Sequence, residues 1–221
     1  MIDRGDFDRE LLTDARNQGA DCRSGLILRH IDADGTAFLS SGERVCPNVI
    51  IGADGPRSMV GRAIGQFNEH LVETRQITVP LLKPYFGTDI FLNAELVGGY
   101  GWMFPKGDLA NIGVGVEAAA RGHLKPLVES IRQRLVEEGR IGEDIIRHTG
   151  GEIPVGGMLT AYSTRGDVHV FLAGDAAGLT NPVTGAGIPA AVISGELAGE
   201  AAIAAVSGRS DAGEDYLDEL T

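Results

Sequence analysis

Residues 168–187, VHVFLAGDAAGLTNPVTGAG, leave this chain few ways to fold. An apolar, β-branched run reads as a strand, and it stops at Gly174 with a single acid, Asp175, at its tip. Gly178, Gly185 and Gly187 then lead into residues 190–205, where alanine and glycine recur at close spacing along a helix. Strand, glycine-rich loop and helix in that order offer a ligand one carboxylate and bare backbone amides, and the positive end of the helix points back at the loop. A turn-capping role would account for Asp175 by itself. The turn fixed by Asn181-Pro182 and the glycines at 185 and 187 tip the reading toward a large ligand.

A second run of similar design, VIIGADGPRS at 49–58, also ends in a carboxylate followed by glycine, Asp54-Gly55. Arg57 is placed to hold a phosphate or steady the acid, and Ser58 to cap a helix through Val60, Arg62 and Ile64. A tight turn with a capped helix would explain that segment without any ligand. Together the two runs point to a flavin nucleotide, whose pyrimidine edge gains negative charge on reduction and would be favoured by a helix start. A third glycine motif, Gly113-Val114-Gly115, matches a relaxed dinucleotide fingerprint, but it lies in a series of antiparallel strands and reads as a strand end.

The rest of the chain divides by texture. Residues 7–18 read as a helix with Phe7, Leu11, Leu12 and Ala15 on one face and Gly19 at its end. Strands at 26–31 and 37–39 flank the Asp34-Gly35 turn, and 45–51 reads as a third, nearly continuous strand that delivers Asp54. Strands at 72–82, 90–96, 100–104 and 109–116 follow, broken by glycine and proline as in an antiparallel sheet. The amphipathic stretch 124–136 backs that sheet through Leu124, Leu127, Val128, Ile131 and Leu135. Tyr100, Trp102 and Phe104 alternate at period two and so share one face, either lining an apolar pocket with Lys106 at its rim or filling the core between sheet and helix. Residues 207–221 are polar and acidic and contribute no closing core element. The expected class is α/β with mixed α+β character: a partial Rossmann-like nucleotide-binding domain at 1–66 and 158–221, and an inserted antiparallel-sheet substrate domain at 67–157.

Bulk properties exclude several functions. A net charge of −12 with scattered Lys and Arg argues against a nucleic-acid partner. Cys22 and Cys46 have neither zinc nor disulfide spacing and read as two buried thiols in a reducing cytoplasm. His30, His70, His123, His148 and His169 show no triad or metal pattern. The charged N-terminus excludes a secretory signal, and no apolar run reaches the ~20 residues of a spanning helix, so the expectation is a soluble protein, at most peripheral to a membrane.

Four segments in order, Arg4 with Phe7-Asp8, GADGPRSMVGRAIG at 52–65, YGWMFPKGD at 100–108 and LAGDAAGLTNPVTGAGI at 172–188, resemble the geranylgeranyl reductase family of FAD-dependent oxidoreductases, within the wider aromatic-ring hydroxylase fold. Val97 stands where the family's longer motif has proline. The resemblance implies that Asp175 holds the ribitol chain of FAD, that Gly185, Ala186 and Gly187 set amides near the flavin ring, that Asp54 and Gly55 lie near the phosphates, and that Arg4 lies beside the cofactor. Tyr100, Trp102 and Phe104 would face an isoprenoid lipid. In such enzymes the flavin does the hydride chemistry, with NAD(P)H as a source of electrons, so no dedicated acid or base is sought. The family's first strand, glycine-rich turn and helix, which receive the pyrophosphate, have no counterpart in this sequence. The resemblance therefore implies an internal piece of a longer flavoprotein, with an exposed sheet edge able to pair with another chain. Two alternatives stand beside it: a flavin monooxygenase of the same fold, and a cofactor-free chain without activity.

Overall fold

The structure, a computed structural model, describes residues 3–221. Helix α1 (Arg4–Asn17) starts three residues earlier than its apolar pattern predicts, because the Asp3 carboxylate accepts the amides of Gly5 and Asp6. Gly19, in the left-handed region at φ +95°, follows its end. No residue of α1 is buried, and Leu11 is 48% exposed.

Strands β1 (Leu28–Ile31), β2 (Ala37–Leu39) and β3 (Arg44–Val45) form a small antiparallel meander. The single strand expected at 45–51 is two strands in two sheets. Pro47 offers no N–H to a ladder, so the chain leaves the meander there and re-enters as β4 (Val49–Gly52). Cys46, at that break, is exposed and Cys22 half-buried, which corrects the expectation of buried thiols. The short helix α2 (Met59–Ala63) follows, with Ser58 as its N-cap.

The middle of the chain is a five-stranded antiparallel sheet built from β5 (Leu71–Pro80), β6 (Asp89–Phe91), β7 (Gly101–Lys106), β8 (Leu109–Glu117) and β9 (Arg147–Pro154), in the order β6-β7-β8-β5-β9. Strand β6 is shorter than its predicted span because the Asn93 side chain accepts the amides of Glu95 and Leu96 and turns the chain. A 3₁₀ turn at Ala118–His123 leads to α3 (Leu124–Glu137), whose Leu127, Val128, Ile131 and Leu135 are buried against the sheet as the sequence spacing requires. Across from them lie Met103, Ile112, Val114 and Val116, all fully buried. Gly113 and Gly115 sit inside β8, and a Cβ on Gly113 would lie 2.3 Å from the Trp102 ring, so these glycines make room for an aromatic side chain.

The chain then returns to β4. Strands β10 (Tyr162–Arg165) and β11 (Val168–Leu172) pair antiparallel, and β11 pairs parallel with β4, giving the order β10-β11-β4. Among the described residues the outer edge of β4 has no neighbouring strand. A 3₁₀ turn at Gly174–Ala177 and a loop lead to α4 (Ile188–Val206), which packs on β4 and β11 and against α5 (Ala212–Glu219). Helix α4 is long and apolar enough to cross a membrane by length and composition alone, contrary to the sequence expectation. Its buried stripe of Ser194, Ala198, Ala201 and Ala205 faces this second core.

The acidic C-terminal stretch closes that core after all. Tyr216 on α5 is 2% exposed, stacks edge-on against Phe171 at 5.3 Å and donates its hydroxyl to the Leu172 carbonyl at 2.6 Å. One aromatic ring on a short polar helix does this, which is why composition conceals it. Burial pushes its hydroxyl pKa up to about 12.

Candidate functional site

A cavity of about 910 Å³ opens between α1, the tips of β4 and β11, the loop after β11 and the first turns of α4. Its size is that of a small-molecule or cofactor site. Arg4, Phe7, Asp8 and Leu11 of α1 form one wall, which explains why the apolar face of this helix meets no protein core. Ala53, Gly55, Asp175, Gly185, Ala186 and Gly187 also line it.

Asp175 stands in the cavity wall. Its Oδ1 accepts the Thr180 hydroxyl at 2.6 Å, which fixes the carboxylate without neutralising it. Behind it, the Gly174 amide donates to the buried Ser194 hydroxyl of α4 at 2.9 Å, so the acid sits on a turn pinned to the helix. Arg4 pairs with Asp8 through two 3.0 Å hydrogen bonds, and this pair, with a smaller contribution from the charge of Asp175, raises the guanidinium pKa.

The loop at 181–187 is held mostly by its own hydrogen bonds. Asn181 Oδ1 accepts the amides of Val183 and Thr184, the Gly185 amide donates to the Asn181 carbonyl at 2.9 Å, and the Ala186 amide reaches the Thr184 hydroxyl at 3.3 Å. Of the three amides singled out in the sequence, only that of Gly187 has no partner among the described residues. Gly187 is the N-cap of α4, where no side chain caps and no acid stands in the first turn. A polar or anionic group in the cavity would meet an open helix start there.

The second run is arranged differently. The Asp54 carboxylate turns to α2, accepting the Ser58 hydroxyl at 2.5 Å and the amides of Met59 and Val60 at 2.7 and 3.3 Å. Gly55, at φ +83° with open space around its missing Cβ, is the member that faces the cavity. Arg57 neither steadies Asp54 nor stays available for phosphate. It forms a two-pronged ion pair with Glu152 of β9, which holds that carboxyl below its usual range.

Tyr100, Trp102 and Phe104 share one face, with ring centres 5.8 and 5.9 Å apart along the row. That face lies opposite α3, so the reading of a core between sheet and helix is replaced: Met103 faces the helix instead. Trp102 donates to Gln76 at 3.0 Å, and burial raises the Tyr100 hydroxyl pKa. None of the three lines the cavity, but the Tyr100 hydroxyl donates to the Thr184 carbonyl at 2.5 Å and so ties the aromatic row to the cavity loop. Lys106 pairs with Asp3 at the N-cap of α1. Among the described residues no cluster of His, Cys, Asp and Glu is arranged to hold a metal.

Residues 83–153, which hold the aromatic row, match the family model described as the geranylgeranyl reductase catalytic domain. The digeranylgeranylglycerophospholipid reductase of Methanosarcina acetivorans is 32% identical over 239 residues, an alignment that takes in 100% of this chain and 56% of the relative. Over these residues the chain matches the geranylgeranyl reductase family. It spans little more than half the length of the curated relatives it matches. A solved geranylgeranyl bacteriochlorophyll reductase-like protein from Thermoplasma acidophilum superposes with a TM-score of 0.85 at 25% identity, covering 98% of this chain and 58% of that protein. A probable FAD-dependent monooxygenase from Pseudomonas aeruginosa, at TM-score 0.65 and 23% identity, shares the fold over 96% of this chain and 64% of its own.

Asn68, Thr180, Ser194 and Ile153 take part in or support the site and were not singled out by sequence. Thr180 lies five residues after Asp175 and had a local signal as a hydroxyl in a glycine-rich loop. Asn68 is 107 residues from its partner Asp175, and no local pattern marks it.

Proposed function

We propose that this chain forms the flavin-facing and lipid-facing part of an FAD-dependent reductase that saturates double bonds of prenyl lipids, of the kind its curated relatives are named for. In this reading residues 1–66 and 158–221 serve the cofactor and 67–157 the substrate. The observation that carries it is the cavity in which Asp175, Arg4, Gly55 and the Gly187 amide face one space of cofactor size. Asp175 would accept ribitol hydroxyls, the start of α4 at Gly187 would meet the flavin ring, Gly55 would allow close approach of the phosphate-bearing part, and Arg4 would add positive charge beside it. The residues fit such a group: Gly55 leaves open space, and the α1 wall offers Phe7 and Leu11 as cover for a ring system beside the Arg4–Asp8 pair. Bound FAD, once reduced by NAD(P)H, would supply the hydride. The protein's own part is to orient that group, to exclude water with Phe7, Leu11 and Ile153, and to present the lipid along the face of Tyr100, Trp102 and Phe104. Contact with membrane lipid would then be peripheral, through the substrate.

The test is the visible absorption spectrum of the purified protein before and after incubation with FAD and gel filtration. Retained flavin absorption, lost in Asp175→Ala, is the expected result; a protein that stays colourless overturns the cofactor reading. The likeness to a monooxygenase in fold gives a second reading, and incorporation of labelled oxygen into an aromatic substrate, with no saturation of a prenyl lipid, would replace the first with it.

A further inference from the structure

Two chain crossings join the β4–β11 unit to the five-stranded lobe, one outward at 64–70 and one returning at 155–161. They run side by side: the Val155 amide donates to the His70 carbonyl at 3.0 Å, and the Thr160 amide to the Gln66 side chain at 3.2 Å. Both then close on the turn that carries Asp175. The Leu159 amide donates to the Ala177 carbonyl at 2.9 Å, and Gly178, at φ +71°, packs so tightly that a Cβ there would lie 2.4 Å from the Gly157 carbonyl and 3.0 Å from Asn68 Oδ1.

Asn68 lies at the centre of this junction. One side-chain amide nitrogen donates to two carbonyls, that of Pro56 at 3.0 Å and that of Asp175 at 2.9 Å. Pro56 directly follows Gly55, so a single NH₂ group joins two segments that both line the cavity. The other end of the same side chain, Oδ1, is buried and has no hydrogen-bond partner. A buried acceptor without a partner is destabilising, so stability alone is a poor reason for an asparagine here. Two donors in one planar group, at a point where two carbonyls converge, are what other small side chains do not provide.

We propose that Asn68 is a positioning residue that sets the distance between the Gly55 and Asp175 segments and ties both to the crossings into the substrate-facing lobe. It touches neither cofactor nor substrate and acts through the two loops. The proposal rests on reading the cavity as a flavin site, and it adds that the geometry of that site is coupled to the seating of the lobe through one side chain.

The test compares the wild-type chain with Asn68→Asp, which keeps the shape and loses both donors. Asn68→Ala serves if the charged variant does not fold, and protection of the five-stranded sheet is the internal control for folding. Hydrogen–deuterium exchange of the free chain should rise together at 53–58 and 174–180, by about tenfold, the loss expected for two ordinary hydrogen bonds, while β5, β7 and β8 keep wild-type protection. FAD titration should show an affinity weaker by a similar factor, with the absorption bands and reduction midpoint of the bound flavin shifted. A purely structural role would lower the unfolding temperature and leave those bands and that midpoint alone. Exchange that is unchanged, or raised in one loop only, or flavin affinity and spectrum equal to wild type, overturns the proposal. A wild-type chain that takes up no FAD overturns the flavin reading instead, and the exchange arm still decides whether Asn68 couples the loops.

Discussion

The two halves of this molecule close their cores differently. In the five-stranded lobe, Met103, Ile112, Val114, Val116 and Leu135 are completely enclosed, so α3 and the sheet satisfy one another. In the β4–β11 unit, the inner stripe of α4 and Tyr216 are buried, while Ile193 on the same helix is 57% exposed and α1 buries nothing. The core between α3 and the sheet is closed, and the apolar side chains that the lobe exposes, Phe86 at 98% and Leu92 at 78%, stand on the segments flanking β6, whereas the other unit turns Phe7, Leu11 and Ile51 toward a cavity. Apolar side chains gathered around one cavity mark a place where something binds.

The sharpest way to break that comparison is to truncate one residue on each side. Leu135→Ala should cost about 2–5 kcal/mol, since a large side chain leaves a sealed core, and urea unfolding will measure it. Ile193→Ala, the smallest expected effect, should stay within about 0.5 kcal/mol in the free chain. Equal losses would mean that the two halves are not distinct.

Between these extremes, Gly113→Ala should destabilise by about 1–3 kcal/mol, because the new methyl meets the Trp102 ring, and the tryptophan fluorescence should shift as the ring moves. Tyr216→Phe should cost about 1–3 kcal/mol by leaving the Leu172 carbonyl without its donor. Its pH dependence has a definite sign. The folded pKa of about 12 lies above the ordinary 10.0, so the native state keeps the proton longer and the stabilisation is complete below pH 10. It is lost as pH rises toward 12, so the gap between wild type and Tyr216→Phe in denaturant midpoint should narrow over that window. Asp175→Ala should alter stability by about 1 kcal/mol or less, the value of the single Thr180 hydrogen bond, yet lower FAD retention about tenfold or more in gel-filtered protein. A large stability loss without a flavin effect would make Asp175 a turn residue only.

Much of the lobe was legible because its elements follow local rules. The alternation in 72–82 and 109–116 and the helical spacing from Leu124 to Leu135 each describe one face of one element, and each element buries that face. Strand β9 escaped the reading because RHTGGEIP lies on a sheet edge, is mostly exposed and carries two glycines, so no apolar period marks it. The split at Pro47 escaped because the continuous apolar run reads the same whether its two ends pair in one sheet or in two.

The candidate site was legible to the same depth. Asp175, the glycines of its loop and the helix after them were visible as a strand that stops at an acid. Which groups are used up internally was not. The Gly185 amide closes its own loop, the Asp54 carboxylate caps α2 and Arg57 is taken by Glu152, 95 residues away. These outcomes depend on the direction of each side chain after folding, which neighbouring residues do not encode.

By itself, the sequence determined most of the elements, the apolar run that ends in Asp175, the antiparallel lobe and the row of Tyr100, Trp102 and Phe104, because backbone periodicity and glycine conformation act over a few residues. Only the tertiary structure decided that α1 becomes a cavity wall, that Tyr216 closes the second core and that Asn68 bridges Pro56 and Asp175. Those contacts join segments tens to more than a hundred residues apart, and their energies exist only once the intervening chain has packed.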